Sequence, residues 1–298
     1  MRREEIFEEL AKRGDTFVKK ADESYIRVMT SNVFHTDCLG SQIFELSYEE
    51  RADILAAQYL YFEPDFIGLQ EVSTPMQQVL AERLGERYSF VETPLGDFKN
   101  YSYHGVRTQQ NCTPLVYRKD LYEVLTSRFH LFDVLGLWSY HWALYRSKKD
   151  PSQRLIHMNL HYFYDTTEGK QMPGVIDVHN ELVHLRRHYP TVPILVTGDY
   201  NFECTTPMFR AMVEGLQMQS GMLIAEDIEP DGTHYWFHQI GSSEIEKQGV
   251  ANAAIDHICV TTDLVNVKLH RVLHDELLFK SSDHCARFLD VEIKEKTI

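Results

Sequence analysis

The residues of this chain that could do chemistry stand where apolar runs stop. The clearest case is Val192-Pro193-Ile194-Leu195-Val196-Thr197-Gly198-Asp199-Tyr200-Asn201-Phe202. Its apolar, β-branched run reads as a buried strand. Gly198 allows a sharp turn at its end. Asp199 and Asn201 then stand two residues apart, so in extended geometry both point to one side. An acid and an amide delivered to a strand edge suit a hard cation or a reacting water. The same pair could equally close an ordinary strand as an Asx-turn.

The pattern recurs along the chain. Asn32 follows Tyr25-Ile26-Arg27-Val28-Met29-Thr30, Glu71 stands at the end of the strand read over Phe66-Ile67-Gly68-Leu69-Gln70-Glu71-Val72, and His161 ends Arg154–His161. Asp256 sits inside Ala254-Ile255-Asp256-His257-Ile258-Cys259-Val260-Thr261, and Asp283-His284 precedes Ala286–Ile293. Taken singly, these residues have plainer readings as a solvated strand-end acid, a turn amide, a loop pair or a core histidine. Taken together they are four carboxylates, two amides and two histidines without a cysteine. Strand ends on one edge of a layered fold can converge on a shared pocket. Oxygen-rich ligation suits Mg2+ or Mn2+ rather than zinc. Such an ion binds a phosphate oxygen and stabilises charge developing in a transition state.

The elements that must position these residues are mixed in kind. Residues 1–22 read as an amphipathic N-terminal helix with Ile6 and Leu10 on one face. Ser47-Tyr48-Glu49-Glu50 is a capping box for a helix to about Phe62, and Thr74-Pro75 opens another to about Leu84. Short strands are predicted at Tyr88–Val91, Thr113–Tyr117, Glu123–Phe129 and Trp138–Leu144, with an irregular aromatic loop from Gly96 to Asn111. Helices follow at Pro173–His188 and from Thr205-Thr206-Pro207 to about Glu214, a long loop covers residues 218–250, and Val265–Leu273 is a further strand. Consecutive strands exclude the strict alternation of a doubly wound sheet or a TIM barrel. Two packed mixed sheets with helices outside fit better. In the two loops, Tyr103, His104 and Arg107 could grip a phosphate or head group, and Trp236 could line the same mouth.

The ordered segments Ser-Asn (31–32), Leu-Gln-Glu-Val (69–72), Asn-Leu-His (159–161), Gly-Asp-Tyr-Asn (198–201), Ile-Asp-His (255–257) and Ser-Asp-His (282–284) resemble the endonuclease/exonuclease/phosphatase superfamily, also called deoxyribonuclease-I-like. The resemblance spans about residues 25 to 293. It implies an α/β fold, a four-layer α/β/β/α sandwich of two packed mixed sheets flanked by helices. It further implies that Glu71 is the principal metal ligand, helped by Asn32, and that Asp283 assists the metal. Asp199 would orient or deprotonate the attacking water, and Asn201 would hold that water or the phosphate. His284 would hydrogen-bond a phosphoryl oxygen with its ring oriented by Asp256, and His161 would contact the phosphate from the other side. The implied reaction is metal-assisted, in-line attack of water at phosphorus. The sequence departs from the family in reading Leu160 where a threonine is usual before the histidine. The basic and aromatic loops of abasic-site endonucleases are not recognisable in it.

Composition bounds the substrate. The chain has 298 residues and a formal net charge of −14, with dispersed lysines and arginines. A grip on long duplex nucleic acid normally needs a basic stripe. The balance favours a phosphorylated small molecule, a lipid head group or a nucleotide. A single domain is expected over residues 1–298, with 1–22 as a helical extension, because no linker or repeat interrupts it. No apolar run is long enough for a membrane span, the charged N-terminus is unlike a secretory signal, and five scattered cysteines form no CxxC pair, which together point to the cytoplasm. His184 and His188 have helical i, i+4 spacing but no third ligand in view. His257 should point away from Asp256.

Overall fold

The computed structural model describes residues 2–14, 18–34, 46–92, 101–103, 106–108, 110–111, 113–132, 138–165, 169–229, 232–233, 254–275 and 277–294, and of 101–111 the backbone alone. Two mixed sheets pack face to face between two layers of helices. The first has seven strands in the order Asp227–Ile228, Val265–Val272, Arg287–Ile293, Ile26–Asn32, Phe66–Gln70, Leu115–Arg118 and Tyr88–Phe90. The second has six, in the order Met218–Ser220, Asp256–Thr261, Ile194–Asp199, Arg154–His161, Ser139–Ser147 and Tyr122–Leu131.

Strand alternation sorts the side chains into three cores. Val28, Phe66, Leu155, Leu195, Ile258 and Leu289 meet between the sheets. Met29, Ile67 and Phe288 point the other way, against Ile6, Leu10, Leu55, Tyr59 and Leu80 of the helices Arg3–Arg13, Tyr48–Phe62 and Thr74–Leu84. Ile156, Met158, Leu160, Ile194 and Val196 face Val178, Leu182 and Leu185 of the Met172–His188 helix and Phe209 and Met212 of Pro207–Val213. Each such buried aliphatic contributes about 1.5–3 kcal/mol. The result is the four-layer α/β/β/α sandwich.

Each sheet has one parallel pair near its centre. Ile26–Asn32 runs parallel to Phe66–Gln70 with Asn32 opposite Gln70. Arg154–His161 runs parallel to Ile194–Asp199 with His161 opposite Asp199, and Asp199 lies opposite Asp256 on its other side. Parallel strands end on the same edge, so these pairings set the polar strand ends side by side.

Local detail departs from expectation in five places. The first helix stops at Arg13 rather than continuing to residue 22, because Gly14 takes a left-handed conformation (φ 68°) and ends it. Ser73, not Thr74, caps the following helix, accepting from Met76 N at 3.4 Å. The segment expected as irregular, Gly96 to Asn111, contains a ribbon of Tyr101–Tyr103 with Val106–Thr108. Likewise, the loop expected from residue 218 starts with strands at Met218–Ser220 and Asp227–Ile228. Gly198 is not a turn residue. It lies within its strand, and a Cβ there would stand 2.4 Å from Leu160 O, so the position demands glycine for close approach.

Candidate active site

The polar strand ends meet at one edge, between the sheets. Alternation carries Asn32, Asp199, His161 and Asp256 to the inter-sheet side, in phase with Val28, Leu195, Leu155 and Ile258. Glu71 is different. In phase with Ile67 and Leu69 it would point to the helices, but its backbone is left-handed (φ 58°), which breaks the alternation. A non-glycine residue there costs on the order of 1 kcal/mol, which the surrounding structure must offset. Its carboxylate ends beside Asn32, whose Nδ2 donates to Glu71 Oε1 at 3.2 Å and to Asp199 Oδ2 at 3.0 Å. Asn32 Oδ1 accepts from Phe34 N at 3.0 Å, so the amide turns its hydrogens, not its oxygen, toward the acids.

Asp199 is the hub. His161 Nε2 lies 3.5 Å from its Oδ2 and 3.9 Å from Glu71 Oε1. His284 Nε2 lies 3.8 Å from the same Asp199 oxygen and 3.8 Å from Asp283 Oδ1. His284 Nδ1 donates to Asp256 Oδ2 at 2.8 Å. Asn201 N donates to Asp199 Oδ1 at 2.9 Å, and Asn201 Nδ2 donates to Tyr162 O at 2.9 Å. The Asx-turn and the presentation of an acid to a pocket are thus one structure. Asn201 reaches it in a left-handed conformation (φ 53°) rather than by strand alternation.

The electrostatics follow from burial. Desolvation, then the neighbouring Asp256 and Glu71 charges, push the Asp199 carboxyl up to about 8, against the pull of His284 and the Asn201 N–H. Burial would also raise Asp256, but the His284 charge and hydrogen bond outweigh it and hold Asp256 low. Burial would lower His284, yet Asp256 and Asp283 hold it well above the ordinary imidazole value. Ligand atoms of Glu71, His161 and Asp199 lie within 4.8 Å of one another, as do those of Asp199, Asp256 and His284. Crowded, largely buried acids with imidazole at the side are a donor set that fits a hard divalent cation.

Several contributors were missed in the sequence. Arg51, fully buried on the Tyr48–Phe62 helix, donates to Ser281 O and Phe34 O, each at 2.8 Å, and to Val33 O. It clamps the segment after Asn32 to the segment before Asp283. Burial lowers its pKa to about 10, although Asp283 and Glu71 pull the other way. Ser282 Oγ donates to Asn32 O at 2.7 Å and accepts from His284 N at 3.1 Å. Thr233 Oγ1 accepts from Asp256 N at 3.2 Å, and Thr233 O accepts from Cys285 N at 2.6 Å. The signal for Arg51 was a charge on the helix face that carries Ile54 and Leu55.

Asn32, Glu71, His161, Asp199, Asn201, Asp256, Asp283 and His284 are therefore brought together. His104 and Trp236 lie outside the described residues, and Tyr103 and Arg107 are described by backbone alone, on the short ribbon. His257 points away from Asp256, toward Tyr200 and Phe209. Among the described residues no helix is long and apolar enough to cross a membrane.

The family model described as Endonuclease/Exonuclease/phosphatase family matches residues 29–284. A sequence comparison with curated proteins returns no match. Among solved structures, the chain resembles a mannosyl-6-phosphatase of Bacteroides thetaiotaomicron (TM-score 0.71, 16% identity, covering 89% of this chain and 99% of that one). It also resembles the human Nocturnin catalytic domain with bound sulfate (TM-score 0.67, 19% identity, 93% and 96% covered). A third likeness is to D. rerio TDP2 complexed with single-strand DNA product (TM-score 0.66, 15% identity, 90% and 99% covered).

Proposed function

The chain belongs to the endonuclease/exonuclease/phosphatase family, and from that premise we propose that it is a metal-dependent phosphoesterase, hydrolysing a phosphodiester or phosphomonoester of a small or locally presented substrate by in-line attack of an activated water. One observation carries the reading: the Asp256–His284 pair opens onto Asp199, which shares its nest with Glu71 and His161.

In this reading Glu71 and Asp283 hold Mg2+ or Mn2+, with Asn32 orienting the acids through its amide hydrogens. The ion would supply positive charge to the phosphate oxygens. Asp199, fixed by Asn32 and by Asn201 N, orients the water and takes its proton. Asn201 steadies that arrangement and borders the place of the phosphate. His284, held as imidazolium by Asp256 at Nδ1, donates from Nε2 to a phosphoryl oxygen. His161 contacts the phosphate from the opposite side.

The acidic balance of −14 supports a compact substrate such as a sugar phosphate, a lipid head group or a nucleotide. The likeness to a mannosyl-6-phosphatase is compatible with a sugar phosphate. The likeness to TDP2 keeps a nuclease on short or single-stranded nucleic acid as the second reading. A cytoplasmic location belongs to the same proposal, supported by the free, buried Cys204 and Cys259.

The test is a screen of phosphorylated metabolites, phospholipids and oligonucleotides with Mg2+ or Mn2+, repeated with chelator. Release of phosphate or alcohol from a compact ester supports the first reading. Turnover confined to oligonucleotides, falling steeply with salt, supports the second. Hydrolysis that survives in Asp199→Ala or Asp283→Ala would sink both.

A further inference from the structure

A polar seam crosses the sandwich directly beneath the site. Elsewhere the sheets meet through apolar side chains such as Val28, Phe66, Leu195 and Ile258. At the seam, Gln70 Nε2 of the first sheet donates to Asn159 Oδ1 of the second at 2.6 Å. Asn159 Nδ2 donates back to Leu69 O at 2.6 Å and to Pro114 O at 3.2 Å. Thr197 Oγ1 donates to the same Asn159 oxygen at 3.1 Å, and Gln70 Nε2 also reaches Thr30 Oγ1 at 3.1 Å. Thr30, Gln70, Asn159 and Thr197 are all fully buried. Gly68 lets the sheets come this close: a Cβ there would stand 2.0 Å from Thr197 Oγ1 and 2.5 Å from Asn159 Oδ1.

Each seam residue lies one or two positions behind a site residue on its own strand. Thr30 precedes Asn32, Gln70 precedes Glu71, Asn159 precedes His161 and Thr197 precedes Asp199. The site itself is divided, with Asn32 and Glu71 coming from the first sheet and His161, Asp199 and Asp256 from the second. Apolar contact between sheets is non-directional and tolerates a small slide. The hydrogen bonds that Gln70 and Asn159 make across the gap, at 2.6–3.2 Å, do not.

We propose that Gln70 and Asn159 are positioning residues that fix the register of one sheet against the other, and thereby hold Glu71 in reach of His161 and Asp199 for metal ligation and turnover. This rests on the phosphoesterase reading for its catalytic part. Misplacement by about 1 Å costs on the order of a hundredfold in rate. Removing one partner leaves the other with a bond of its own, since Asn159 Oδ1 still accepts from Thr197 and Gln70 Nε2 still donates to Thr30 and to Gly68 O. The single variants therefore weaken the link between the sheets without stranding the remaining side chain.

The experiment compares wild type, Gln70→Met, Asn159→Leu and the paired variant. Three quantities are read: melting temperature, Mn2+ affinity by titration calorimetry without substrate, and kcat with KM on the ester found in the screen, or on bis(p-nitrophenyl) phosphate with Mg2+. The paired variant should melt below either single variant, because it loses all the bonds that Gln70 and Asn159 make across the sheets. It should bind Mn2+ about tenfold more weakly and lose roughly thirtyfold or more in kcat, with KM nearly unchanged. A paired variant within twofold of wild type in both Mn2+ affinity and kcat overturns the proposal. Should that variant fail to fold, Gln70→Met decides by the same criteria, with a roughly fivefold loss expected because it removes one bond between the sheets and leaves Asn159 Oδ1 accepting from Thr197. A wild-type protein inert on the whole panel overturns the phosphoesterase reading instead, and Mn2+ affinity then judges the seam alone. Wild-type protein that neither turns over an ester nor binds Mn2+ overturns both.

Discussion

His284 Nδ1 lies 2.8 Å from Asp256 Oδ2, and the other nitrogen of the same ring faces Asp199 Oδ2 at 3.8 Å. The ring is 6% exposed, so its orientation is fixed by protein rather than by solvent. Asp256 itself is anchored on its strand, opposite Asp199.

Asp256→Asn should therefore lower kcat about 10- to 100-fold with little change in KM. The amide keeps the shape but no longer holds the ring's proton affinity up, so the imidazolium that donates from Nε2 is lost. Steady-state kinetics across pH, with a melting curve as control, checks it. A kcat within threefold of wild type would contradict the orienting role.

Asp199→Asn should abolish turnover, by about a thousandfold or more, while raising the melting temperature of the metal-free protein at pH 8. Burial and the neighbouring Asp256 and Glu71 charges make an ionised Asp199 costly, and the amide removes that cost while still accepting from Asn32. Paired activity and melting measurements decide it. A large fall in melting temperature would show that Asp199 holds the fold rather than the chemistry.

Mn2+ should raise the melting temperature of wild type by a few degrees at about a hundredfold excess over its dissociation constant, which corresponds to about 2.7 kcal/mol. Glu71→Gln should remove most of that shift and the turnover with it. Chelator should reverse both in wild type. An equal Mn2+ shift in the variant would remove Glu71 from the ligand set.

Acid should destabilise the protein well above the range where carboxylates titrate. Burial lowers His141 to about 4 and His157, His257 and His270 to about 3. Unfolded histidines take protons near 6.5, so stability from these neutral rings is complete above that pH and is lost as pH falls toward 3–4. His284, raised by its acidic neighbours, and Asp199 and Asp65, raised by burial, act in the opposite sense, but they are three groups against four. His141 has neither ring nitrogen paired, so His141→Phe should recover on the order of 1–2 kcal/mol at pH 5 relative to pH 8. Denaturant melts at the two pH values measure it, and an unchanged difference would refute the assignment.

Much of this was legible in residue order. Asn32, His161, Asp199 and Asp256 follow strand parity from the apolar residues before them, and Ser47-Tyr48-Glu49-Glu50 formed its capping box as read. Glu71 and Asn201 were found as residue types, but not how they arrive. Their left-handed backbones are set by the neighbours around them, which no periodicity records. Gly198 looked like a turn because a strand shows nothing of how closely its partner, Leu160, will approach. Arg51 and the Gln70–Asn159 bond join residues 230 and 89 positions apart, so their meaning exists only once the sheets are stacked. Their trace in the sequence was polarity on faces that should have been apolar.

Glu71 and Asp199 belong to opposite halves of the sandwich. An occupant that touches both at once staples those halves together. Amide exchange at Val28 and at Leu195, deep on facing strands, should then slow in concert when the cleft fills, so that occupancy of a small rim is felt as stiffness throughout the body.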